Sequence, residues 1–145
     1  MSKIKPLSLE EIGRLEALIG YNFREKARLD RALTHASARS AKAGNYERLE
    51  FLGDRVLGLC VAELLFSTFR SATEGELSIR LNQLVSADSC AAIADEMELH
   101  LFIRTGSDVK KLTGKTMLNV RADVVESLIA TIYLDGGLEP ARQFI

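Results

Sequence analysis

A chain of 145 residues with 19 Lys and Arg against 20 Asp and Glu carries a formal charge of −1, which excludes bulk positive charge as its way of holding a partner. Its length and 47% hydrophobic content suit a single domain over residues 1–145, burying roughly two-thirds of the unfolded surface. It shows no run of about eighteen apolar residues and no amino-terminal signal pattern, so a cytoplasmic protein without membrane association is expected. Cys60 and Cys90 lack the spacing of a zinc site and read as packed, reduced thiols, and His35 and His100 are too isolated to ligate a metal.

Helical signals then follow in chain order. Ser8 with Glu11 forms a capping box ahead of Leu9, Ile12, Leu15, Leu18 and Ile19, and Gly20 can close that helix. Asn22 with Glu25 opens a segment reaching about Leu33. Residues 36–44 are small and polar, which suggests a mobile loop or an ordinary surface connection.

The next segment carries the most informative pattern. Glu47, Glu50 and Asp54 fall within roughly 60° of one another on a helical wheel, with Leu49, Leu52, Val56, Leu59 and Cys60 on the other side. Like charges one turn apart cost a helix a few tenths of a kcal/mol per pair, so local stability does not account for them; a divalent cation would. Phe51 lies about 40° from Glu47, on the acidic side, where an intrachain core has no evident need of it unless the helix is buried all round.

Thr73 with Glu76 opens a helix through Leu77, Leu81, Leu84 and Val85, and Ser86 starts another containing Ala91, Ile93, Ala94 and Met97. Lys110, Lys111, Lys115 and Arg121 form a basic segment that is either a solvated loop or a hold on a phosphate backbone. Asp123 and Glu126 then repeat the acidic spacing, with Val125, Leu128, Ile129 and Ile132 roughly opposite. Gly136 and Gly137 end that helix, and Glu139-Pro140 begins a last one. No run alternates like a strand, so an all-α, compact multi-helix fold is expected.

Acidic pairs at helical spacing are common on solvated surfaces. Two such faces, each backed by an apolar stripe, can instead converge on a hard cation, which carboxylate and water oxygens hold, and paired ions assist phosphodiester hydrolysis.

Glu47-Arg-Leu-Glu-Phe-Leu-Gly-Asp54 resembles the signature of the bacterial ribonuclease III family of double-stranded-RNA endonucleases. Leu18-Ile-Gly-Tyr-Asn-Phe23, Ala32-Leu-Thr-His-Ala-Ser37, Glu74-Gly75, Ala122-Asp-Val-Val-Glu-Ser-Leu-Ile129 and Tyr133-Leu-Asp-Gly-Gly137 follow that family's order across nearly the whole chain. Small departures are Tyr46 between Asn45 and Glu47, and Ser127 where Ala is common.

The resemblance implies metal ligands at Glu50, Asp54, Asp123 and Glu126, a catalytic pair at Asp54 and Glu126, and Glu47 and Glu74 as further acids of the cleft. It implies a symmetric homodimer anchored by Phe51, Mg²⁺ as cofactor with Mn²⁺ as a substitute, and staggered cleavage of precursors of ribosomal and other structured RNAs. The separate double-stranded-RNA-binding domain usual in the family is not found here, so the chain reads as a truncation of a longer protein. Other readings are a catalytically silent RNA-binding or ribosome-assembly module of the same fold and a purely structural dimerisation domain; the intact set of acids argues against both.

Overall fold

A computed structural model describes residues 7–34, 43–103 and 115–145, and every regular element among them is a helix. In chain order these are α1 (Leu9–Ile19), α2 (Lys26–Ala32), α3 (Ala43–Thr68), α4 (Glu74–Leu84), α5 (Ala87–Glu96), a short 3-10 turn (Leu99–Leu101), α6 (Lys115–Gly136) and α7 (Leu138–Phe144). The all-α expectation holds.

Local chemistry accounts for several boundaries. The Ser8 and Thr73 hydroxyls each accept the amide three residues on, and Glu11 and Glu76 reach back to the cap amides, so both capping boxes form. Gly20 closes α1 at φ 80°, a left-handed position that favours glycine. Ser86 caps α5 through the Ser89 amide.

The long helices α3 and α6 share the largest interface; α5 packs on α6, and α7 closes against α6. Val56, Leu57, Cys60, Val61 and Leu65 of α3 meet Val124, Val125, Leu128, Ile129 and Ile132 of α6 in one core. Each such Leu, Ile or Val, fully buried, is worth about 1.5–3 kcal/mol. At the crossing the two backbones touch. A Cβ on Gly53 would overlap the carbonyl oxygen of Glu126 and lie 2.5 Å from its carbonyl carbon, so any side chain there must spread the helices.

Four expectations shift. The second helix opens at Lys26 rather than Asn22, because the amides before it are held by carboxylates outside the segment. Arg24 N and Glu25 N donate to the Asp135 carboxylate at 2.8 and 3.0 Å, and Phe23 N donates to buried Glu16 at 2.6 Å. The Tyr21 hydroxyl donates to the same Asp135 at 2.6 Å; burial first, then that bond and charge, push its pKa up to about 12. Second, α3 begins at Ala43, so the expected loop yields its last two residues to the helix, and residues 36–42 lie outside the described residues. Third, Leu59 is 54% exposed while Leu57 is buried, because α6, with α7 beside it, packs on the side of α3 holding Leu57, Cys60 and Val61. Last, α7 opens one residue earlier than expected, at Leu138 after Gly137.

Candidate active site

Five acids come from the two crossing helices. Glu47, Glu50 and Asp54 project from successive turns of α3, and Asp123 and Glu126 from α6. The approach at Gly53 sets Asp54 beside Glu126, near enough for their carboxyls to share a proton. Two carboxylates bond only through a proton, so a bond between them requires that one be protonated. Burial first, then the charges of Asp54, Glu50 and Asp123, then the bond to Asp54, push the pKa of Glu126 up to about 8. Near neutral pH this carboxyl holds a proton.

A cleft of about 530 Å³ opens over the cluster, lined by Glu47, Glu50, Phe51, Asp54, Arg55 and Glu126. Phe51 forms one wall at 63% exposure, so α3 is not buried all round in the monomer. Arg55, which pattern reasoning passed over directly after the signature, lies against Asp54 with Nη1 2.5 Å from Oδ2, its guanidinium 4.7 Å from the centre of the Phe51 ring. The signal was present: a cation one residue after an acid on that helical face.

The remaining candidates sit apart. Glu74 is exposed at the first turn of α4, where it accepts the Ser78 hydroxyl at 3.1 Å, and it is not among the residues lining the cleft. Lys110 and Lys111 lie outside the described residues, as does the side chain of Lys115. Arg121 turns to α5, its Nε 3.0 Å from Asp95, close enough for charge attraction although the N–H is poorly aimed. Cys90, also unanticipated as a neighbour, stands behind the cluster. Burial and then the charges of Glu126, Asp54 and Asp123 push its thiol up to about 11, which keeps it protonated.

As placed, no three Asp, Glu, His or Cys among the described residues enclose a single ion. The donor set nevertheless suits a hard divalent cation: only carboxylate oxygens converge, and the repulsion expressed in Glu126 is what such a charge relieves. Among the described residues, no helix is long and apolar enough to cross a membrane.

Residues 25–145 match a family described as Ribonuclease-III-like. The chain is 87% identical over all 145 residues to a Ribonuclease 3 of Agrobacterium fabrum and 76% identical to one of Rhizobium leguminosarum, covering 61% of each. It thus spans about three-fifths of the length of these relatives. Two solved structures of the nuclease domain of ribonuclease III from Campylobacter jejuni, each 38% identical, superpose with TM-scores of 0.86 and 0.85. They cover 92% and 94% of this chain, and 92% and 91% of their own. The description of the first places structural flexibility in a region involved in that domain's dimer formation.

Proposed function

The chain belongs to the ribonuclease-III-like family, and on that footing we propose that it hydrolyses phosphodiester bonds in double-stranded RNA with divalent-metal assistance, processing structured precursors such as ribosomal RNA in the cytoplasm. The observation that carries this reading is the meeting of Asp54 and Glu126 at the Gly53 crossing, inside a cleft walled by further carboxylates.

Glu50, Asp54, Asp123 and Glu126 would hold Mg²⁺, with Mn²⁺ as a substitute. A bound ion of this kind polarises a phosphoryl oxygen and lowers the pKa of a coordinated water. The chain's own residues set the conditions. Gly53 holds the two helices at backbone contact, so the catalytic pair Asp54 and Glu126 face the same phosphodiester. Burial, with the charges of the surrounding carboxylates, keeps the proton on Glu126; offsetting those charges would favour its loss, so metal uptake should release protons and strengthen as pH rises. Glu47 extends the negative wall. Phe51 anchors a two-fold dimer, each subunit cutting one strand.

The test is cleavage of a long RNA duplex with Mg²⁺ and with chelator, for the wild type and for Asp54→Ala and Glu126→Ala. Both variants should remain folded and lose at least about two to three orders of magnitude in rate, the scale of losing a transition-state charge partner. Undiminished Mg²⁺-dependent cutting by either variant would remove that residue from the catalytic pair.

A further inference from the structure

Among the described residues, Arg55 is the basic side chain lining a cleft otherwise walled by Glu47, Glu50, Asp54, Glu126 and Phe51. Its guanidinium lies over the Phe51 ring and reaches Asp54 through Nη1. Both partners are wet, with the Arg55 side chain 64% and the Asp54 side chain 41% exposed, so the ion pair is weak and readily exchanged. An arginine carries five N–H donors, and the contact with Asp54 engages one nitrogen. The ring beneath it limits where the stem can go. A flat, preoriented fork is left at the mouth of an acidic cleft.

A polyanion entering that cleft meets four acidic side chains in its lining, and the charged ones repel it. A cation at the lip offsets part of that repulsion, and a guanidinium matches two oxygens of a phosphodiester in bidentate fashion. We propose that Arg55 is a positioning residue that grips a backbone phosphate of the RNA strand entering the cleft, exchanging Asp54 for that phosphate when a cation engages Asp54. The assignment rests on the nuclease reading of the site and adds to it the contact that sets the strand's register. Contact with phosphate also makes the grip indifferent to base sequence.

Three proteins test it: the wild type, Arg55→Gln and Arg55→Lys. Steady-state cleavage of a long RNA duplex with Mg²⁺ separates KM from kcat. Binding of the same duplex, with Ca²⁺ replacing Mg²⁺ to suppress turnover, is followed against salt, and sedimentation reports the oligomeric state. Arg55→Gln should raise KM about tenfold, the scale of one hydrogen bond to a charged group, with kcat within about twofold. Its log–log salt slope of binding should be shallower by about one, the signature of one lost phosphate contact. Arg55→Lys should keep the salt slope and recover part of the KM, since the charge remains and the fork does not. An unchanged slope and KM in Arg55→Gln overturn the assignment, as does a KM increase explained by dissociation in the sedimentation run. A wild type that binds the duplex and never cuts it defeats the nuclease reading instead, while the slopes still decide Arg55.

Discussion

Helices α3 and α6 carry the same device, acids one turn apart above an apolar stripe, and end in opposite situations. Val124, Leu128, Ala130, Thr131 and Ile132 of α6 are fully buried, whereas α3 leaves Phe51, Leu59, Leu64 and Phe66 largely exposed. An amphipathic pattern tells a helix which face to bury first; the packing order decides whether its other faces are covered too. The consequence is a division of labour. Surrounded α6 supplies the carboxyl whose proton affinity is raised, and half-covered α3 supplies the wetter acids, the arginine and an apolar surface available to another subunit.

The largest expected break in that contrast is Phe51→Ala. If the open side of α3 meets a second copy, a two-fold interface loses two rings at once, each worth about 2–4 kcal/mol. Sedimentation at low micromolar concentration should show the variant dissociating, with each monomer's stability nearly unchanged because Phe51 makes little of its core. An undisturbed dimer assigns the exposed ring some other purpose.

Gly53→Ala attacks the line between the two regions. The added methyl collides with the Glu126 backbone, and relaxing an overpacked contact costs about 1–3 kcal/mol. Spreading the crossing also displaces Asp54 from Glu126, and a shift near 1 Å can reduce catalysis about 100-fold. Urea unfolding and duplex cleavage read the two losses. A variant with wild-type stability and rate would mean that the crossing tolerates a shift without cost.

A smaller effect tests the raised proton affinity of buried-side Glu126. Its folded pKa of about 8 lies above the unfolded value of 4.5, so the native state binds more protons than the unfolded chain between them. Stability should therefore be highest below about pH 4.5 as far as this group is concerned and fall as pH rises to about 8. With water in the cleft the loss is on the order of 2 kcal/mol, or roughly 5–8 °C in Tm for a protein this size. Metal-free Glu126→Gln should flatten that slope between pH 5 and 8. An equal slope in wild type and variant assigns the titration to other groups.

Legibility in the sequence followed the range of the interactions. The Ser8–Glu11 and Thr73–Glu76 boxes close within one turn, so residue identity and spacing suffice. The acids were visible for the same reason: Glu47, Glu50 and Asp54, like Asp123 and Glu126, share a face by helical spacing. The start of α2 was hidden because its preceding amides bond to Asp135, 110 and 111 positions along the chain. That Leu57 packs while Leu59 does not depends on which side of α3 the helices α6 and α7 pack, a fact of topology. Arg55 stood in plain view directly after the signature, but its link to Asp54 and Phe51 needed the side-chain geometry.

Ser127 offers the smallest and most local probe of how α6 is built. It follows Glu126 directly and is fully buried, and its hydroxyl has no hydrogen-bond partner among the described residues, while its carbonyl accepts the Thr131 hydroxyl at 2.8 Å. A buried, unpaired hydroxyl costs about 1–3 kcal/mol, and serine is the poorer helix former by a few tenths. Deleting one oxygen opens only a small void, which offsets part of the gain. Ser127→Ala should therefore stabilise the protein by about 1 kcal/mol in urea unfolding. Its cleavage rate should stay within about twofold, because the hydroxyl is not part of the cleft lining. Surrounded α6 would then gain stability from a change invisible at the surface, which the exposed positions of α3 cannot reproduce. Destabilisation by Ser127→Ala would instead reveal that the hydroxyl is satisfied in solution, by a buried water bridging α6 to its neighbours.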